Sequence, residues 1–366
     1  GRFGDMEPRN GVYVDTQMEE NGWTSLGLAT AELVLPGHAR AAEWAHNVRR
    51  WMFLAATVPQ DAKDQAPYVD GRTIAQHVLR TFTCLPDYMA ENHGMVHPTY
   101  TAASLQFTGC LAALYGVFGR ELPQQARFNR DRIYVCLKAM TERMGYMHPV
   151  QGMDWPYLQP DPGTLIHATA AVVLGDADAA CWERRALETL ERRQRGNDGR
   201  MYSKELAATV HNIQDPMIIW ETMVLGACYG YLLHRLYGDG PAATPTEELE
   251  ARLRGVRVFP HSGFVFQRHE HGQTSFAWRN CIMALPLTSD GLYTVAPATG
   301  TLLGSLSVEG EPDCQRLHSL HVDQQRDGFA AALVMGRCQE AVRQEVLFAG
   351  LPNGAALSWE RFVACR

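Results

Sequence analysis

Ten consecutive residues, Glu91-Asn92-His93-Gly94-Met95-Val96-His97-Pro98-Thr99-Tyr100, gather a carboxylate, an amide, two imidazoles and a phenol. A neutral imidazole takes up a proton, a side-chain amide donates to a carboxylate, and glycine lets the chain turn or a ligand approach closely. These are the parts of a site that withdraws a proton beside a carboxylate. The plainer alternative is a capping loop whose polar groups satisfy one another. Behind the stretch, Phe107, Cys110, Leu111, Leu114, Tyr115 and Phe118 recur at spacings of three and four, which predicts a helix with Pro98 in its first turn. The positive end of that helix would favour an anion and a neutral His93.

Four further groups carry chemistry. Asp15 to Trp23 opens the first clear helix; the helix dipole accounts for Glu19 and Glu20, whereas Asn21 and Trp23 are open to sugar contact or to core packing. Tyr146 to Tyr157, with two prolines and a glycine, reads as a loop between helices that displays Gln151, Asp154 and Trp155, or as a rigid loop packed by its own aromatics. His211 and Asn212 precede an Asp215-Pro216 helix start. His269 and His271 fall where alternation along a strand would put both imidazoles on one face, which suits a structural zinc, a cleft shared with Arg279, or a solvated edge.

The elements that must position these groups change character along the chain. From Asp15 to about Tyr237 the periodicity is helical: 16–34, 38–57 (Trp44, Val48, Trp51, Ala55), 72–84, 98–118, 123–144, 161–175, 176–195 and a last helix from Asp215-Pro216. Short connections imply stacked antiparallel hairpins. Met217 to Leu233, interrupted by Glu221 and Thr222, reads as a helix buried on most faces and not as a membrane span. A Gly/Pro/Thr-rich boundary at 238–247 follows, and then short strands at 256–259, 263–266, 274–278, 302–308, 330–335, 341–347 and 355–365. An antiparallel β-sandwich is the natural architecture for them.

Composition sets outer bounds. The 366 residues can bury a large core in two domains, and a formal net charge of −7 without a basic run argues against non-specific nucleic-acid binding. The nine cysteines are scattered without a C-x-x-C pair, so buried thiols such as Cys110 and Cys228 are expected in place of a disulfide framework. That favours a reducing, cytoplasmic setting, with a secreted or periplasmic one open if the start was processed. Signatures of nucleotide-binding loops and of serine-hydrolase elbows are absent.

Asn92-His93-Gly94 before a helix, the Asp-x-x-x-Glu-Glu-Asn-x-Trp segment at 15–23 and the Gln-Gly-x-Asp-Trp-x-Tyr run at 151–157 resemble the heparinase II/III-like and alginate-lyase-like polysaccharide lyases. The resemblance implies an α+β multidomain chain. An incomplete (α/α) toroid of helical hairpins would span 1–240, a linker 241–254, and an antiparallel β-sandwich 255–366, incomplete at its C-terminus. It implies β-elimination on an acidic oligosaccharide, polysaccharide or glycoside, needing no cofactor and no membrane, with a structural zinc in some relatives. Asn92 and His211 would neutralise the substrate carboxylate, His93 or a tyrosinate would take the proton, and Tyr146, in preference to Tyr157, would protonate the leaving oxygen. Glu20, Asn21, Trp23, His97, Tyr100, Gln151, Asp154, Trp155, Asn212 and Arg279 would line the substrate. Glu91 stands where many relatives have a second Asn, which weighs against a standard uronate. A glycoside hydrolase using carboxylates from Glu20, Glu91 and Asp154, an intracellular tailoring enzyme, and a non-catalytic glycan-binding relative remain open.

Overall fold

The computed structural model describes residues 16–78, 82–96, 98–152, 161–201, 216–279, 282–288, 306–308 and 310–365. The chain is a mixture of α-helices and antiparallel sheets, divided into a helical unit and a sheet unit. The expected sites Tyr157, His97, Asp154, Trp155, His211 and Asn212 lie outside the described residues.

In the helical unit, α1 (Met18–Val34) and α2 (Ala41–Leu54) form an antiparallel hairpin around Leu28, Ala29, Leu33, Trp44, Val48 and Trp51. Helix α3 covers Ile74–Val78, and residues 82–84 of the helix expected over 72–84 are not helical. Helix α4 (Pro98–Val117) crosses α1 so closely that a Cβ on Gly22 would collide with the Phe107 ring. Glycine at 22 is therefore a packing requirement. Pro98 opens α4 as its spacing predicts, but the helix ends at Val117 and leaves Phe118 exposed.

The single helix expected over 123–144 is split. Asn129 takes a left-handed conformation (φ 57°), and its amide donates to the Ala56 carbonyl at 3.0 Å and to Asp61 at 2.8 Å. Only α5 (Arg130–Met140) is α-helical. Its first residue, the fully buried Arg130, donates to the Met52 and Phe128 carbonyls and the Thr108 hydroxyl. Asp161 accepts from the Gly163 N–H at 2.9 Å just ahead of α6 (Thr164–Ala168), which widens into a π-helical turn over Thr169–Val173. Asp176 caps α7 (Ala177–Gly196) by accepting from the N–H groups of Asp178 and Ala179, as its sequence position predicts.

Over residues 224–237, helix α8 (Pro216–Tyr237) departs from the expectation of a helix buried on most faces. Gly226, Gly230 and Leu233 share its buried side, whereas Val224, Leu225, Cys228 and Tyr231 are exposed. Cys228 is thus not a buried thiol, although Cys110 is. Apolar composition alone does not say how many faces a helix buries. Among the described residues no helix is long and apolar enough to cross a membrane.

The sheet unit starts with a helix, α9 (Thr246–Leu253), inside the expected linker. Acidic residues in its first turn and Leu249 and Leu253 four apart explain it, and Glu250 anchors it by a bidentate contact with the buried Arg268. One antiparallel sheet runs in the order β3 (Gly255–Phe259), β4 (Phe264–His269), β5 (Gly272–Ala277), β6 (Met283–Thr288). The other comprises β7 (Gln315–Gln324), β8 (Phe329–Arg337), β9 (Val342–Gly350) and β10 (Ala356–Ala364), again in sequential order. Val265, Phe276 and Ala284 of the first share a core with Phe329, Ala331, Leu333, Met335, Val346 and Phe348 of the second.

Two strands escape the alternation pattern for local reasons. Edge strand β6 contains Pro286, and β7 shifts register between Leu317 and Ser319, so its apolar positions change phase from 317 to 320 and 322. The expected strand at 302–308 lies largely outside the described residues.

Candidate functional site

Asn92-His93-Gly94 is a tight turn between the two-residue strands Glu91–Asn92 (β1) and Met95–Val96 (β2). His93 and Gly94 both have positive φ (51° and 80°), the signature of a two-residue hairpin loop in which glycine is favoured at the second position. The imidazole therefore stands at an exposed turn, five residues before Pro98, and the helix-end account expected for it does not apply: dipole effects fade within one helical turn. Its ring meets the edge of the buried Tyr100 ring at 5.4 Å between centroids.

The turn is fixed from both sides. Thr16, at the entrance to α1, donates to the Glu91 carbonyl through its N–H (2.8 Å) and its hydroxyl (3.0 Å). Thr101 of α4 accepts from the Ala90 N–H at 2.9 Å. Asn92 accepts the His93 N–H on its own Oδ1 at 2.8 Å, which orients the amide so that Nδ2 faces Glu19 at 3.4 Å. The other Glu19 oxygen accepts from the Trp23 indole at 3.0 Å. One carboxylate thus joins Trp23 to Asn92, with Glu19 and Asn92 73 positions apart in sequence.

Trp23 is 56 % exposed, which overturns core packing; besides its bond to Glu19, its ring makes an edge contact with Phe107 at 4.8 Å between centroids. Asn21 is fully buried and Glu20 half-buried. Glu19 was not among the expected site residues. An acidic residue in a first helical turn has an ordinary electrostatic explanation, so only the fold exposes its second role.

Tyr146 is held by Arg193, whose guanidinium donates to the phenol oxygen and lies 5.8 Å from the ring centre. Burial raises the phenol above its usual range despite that cation, so Tyr146 stays protonated at neutral pH. Burial also pushes Asp161 up to about 6 against two backbone N–H donors and Arg193.

The remaining expected residues belong to the sheet unit. Gln151 is 1 % exposed and spends both ends of its amide: Oε1 accepts from the Val96 N–H at 2.7 Å and Nε2 donates to the Ser262 carbonyl at 2.9 Å. Gln151 is a strut, not a lining residue. Arg279 bends over the Gly263 turn to reach the His261 carbonyl. His269 ends β4, and His271 lies in the two-residue turn into β5, so the expected shared strand face does not exist. Instead the His271 N–H donates to His269 Nδ1 at 3.2 Å. Burial, with His271 and Arg268 nearby, lowers His269 to about 4. Among the described residues no three potential ligands gather around a metal position.

Comparison of the chain with protein-family models, with curated proteins and with solved structures finds no match in any of the three.

Proposed function

We propose that the helical unit carries a β-eliminating site for a uronate-containing glycan or glycoside, centred on Asn92 and His93. The observation that carries this reading is the Glu19 carboxylate, which ties the exposed Trp23 indole and the Asn92 amide into one group. These belong to two of the three segments that resemble the lyases, and they lie far apart in sequence. The reading takes the helical unit as an incomplete toroid and the sheet unit as a β-sandwich.

Elimination removes the proton α to the uronate carboxylate and expels the sugar oxygen β to it. The α proton becomes acidic only when the carboxylate charge is neutralised. Asn92 has a second amide proton to offer that carboxylate once Glu19 holds the first. His93 takes the α proton, and Tyr146, kept protonated by burial, gives its proton to the leaving oxygen. The Trp23 face supplies a platform for a sugar ring.

A hydrolase is the second reading, favoured by the Glu19 carboxylate that faces the Asn92 amide at 3.4 Å. The test offers uronate polymers and oligosaccharides to the protein and follows the absorbance of the new conjugated double bond alongside release of reducing ends. Absorbance that disappears in His93→Ala supports elimination. Reducing ends without absorbance establish the hydrolase, and silence in both assays removes catalysis in favour of glycan binding.

A further inference from the structure

The end of the β7–β8 ladder holds two thiols that nothing in the proposed reaction uses. The last paired residues are Gln315 and Arg337, so Cys314 and Cys338 are the next residues of the two strands at that end of the ladder. The preceding residues clamp this position, because the Arg337 guanidinium donates to both oxygens of Asp313 at 2.8 and 2.6 Å. The Gln339 N–H, one residue beyond Cys338, donates to Cys314 Sγ at 3.1 Å. Cys314 is exposed, whereas Cys338 is fully buried with its thiol directed to the Leu306 carbonyl at 3.6 Å.

The backbone here is also unusual. Cys338, Gln339 and Glu340 have φ of 48°, 52° and 69°, three successive non-glycine residues in the left-handed region. Such backbone strain persists only where the surroundings enforce it. This turn presents the Gln339 N–H, one residue beyond the buried Cys338, to the Cys314 sulfur.

We propose that Cys314 and Cys338 are a peroxide-responsive dithiol that closes to an intrachain cross-strand disulfide. The exposed Cys314 thiolate attacks a peroxide oxygen; the O–O bond breaks, water leaves after protonation, and a sulfenic acid forms on Cys314. The Cys338 sulfur then attacks that sulfur; the S–O bond breaks, the S–S bond forms, and the Cys338 proton leaves with hydroxide as water. Two thiols and one hydrogen peroxide give one disulfide and two waters. The Gln339 N–H stabilises the attacking thiolate by a charge-assisted hydrogen bond. Cys338 must turn away from Leu306 to complete the second step.

The test treats the full chain with stoichiometric hydrogen peroxide, blocks remaining thiols by alkylation and maps tryptic peptides by mass spectrometry. Arg316, Arg326 and Arg337 let trypsin separate the two cysteines. The expected product is a Cys314–Cys338 cross-linked peptide, reversed by dithiothreitol, absent in Cys314→Ser and retained in Cys365→Ser. Cys365 is the natural competitor, since its N–H donates to the Ala341 carbonyl at the same end of the sheet. Because Cys338 is buried, the exposed Cys314→Ser variant carries the test without threatening the fold. Oxidation of Cys314 to sulfinic acid without a cross-link, pairing with Cys365 or with a second molecule, or an unreacted Cys314 would each overturn the proposal.

Discussion

The turn at residues 91–94 and the loop at residues 148–152 contain similar side chains, an amide, an imidazole and a glycine, yet their positions are opposite. In the first, positive φ at two consecutive residues lifts His93 into solvent while Asn92, held by its own turn, faces Glu19. In the second, His148 is fully buried, sharing a 2.8 Å hydrogen bond with the Ser275 hydroxyl and an edge contact with Phe266, and Gln151 is used up on backbone groups. The residue types match in the two loops, but the backbone exposes one imidazole and buries the other.

The sharpest break of that comparison is catalytic. His93→Ala is expected to lower kcat/KM at least about 100-fold, and Asn92→Ala comparably, with thermal unfolding within a degree or two of the parent. Full activity in either variant would put the exposed turn on the same footing as the buried loop.

Acid comes next. Burial lowers His148 to about 3, and His167, fully buried against the Tyr134 hydroxyl at 2.9 Å, to about 4. Both folded values lie below the unfolded value of about 6.5, so between them the unfolded chain binds more protons and stability rises with pH. The stability is complete above about pH 6.5 and is lost as pH falls towards 4, at about 1.4 kcal/mol per pH unit for each histidine. Denaturant titrations at several pH values read this slope, and His148→Gln should flatten it by one histidine's share. An unchanged slope would mean that His148 is not held neutral.

Gln151→Ala should destabilise by about 2 kcal/mol, because it strands the buried Val96 N–H and the Ser262 carbonyl together. Chemical denaturation measures it. A variant of parental stability that had lost sugar binding would return Gln151 to the lining. The smallest effect is expected for Glu19→Gln: about a tenfold fall in kcat/KM as the clamp on Trp23 and Asn92 loosens, with stability changed by less than about 1 kcal/mol. A fall in stability without any change in rate would make Glu19 purely structural.

Much of the helical unit was legible because its cores obey a simple period: Trp44, Val48, Trp51 and Ala55 are buried as their spacing predicts, and Pro98 and Asp176 start helices where their chemistry says they should. The strands at 255–269 and 329–364 were legible for the same reason. Asn129, the β7 bulge and α9 were not, since each depends on one residue's backbone angle or on a distant partner such as Arg268. At the candidate site, Asn92, His93 and Gly94 announced a turn. Glu19 did not announce itself, and Gln151 and His269-His271 announced roles that burial and a hairpin turn assign differently.

By itself the sequence determined the change from helices to strands by residue 256, several helix starts and a loop at His93-Gly94, because each is written in neighbouring residues through periodicity, capping and backbone preference. Only the tertiary structure decided that Glu19 reaches Asn92, that Gln151 is a strut and that the Gln339 N–H reaches Cys314. Those outcomes turn on which polar atoms meet across tens of residues. Local physics sets the conformation of a segment, while its hydrogen-bond partners are set by what the rest of the chain packs against it.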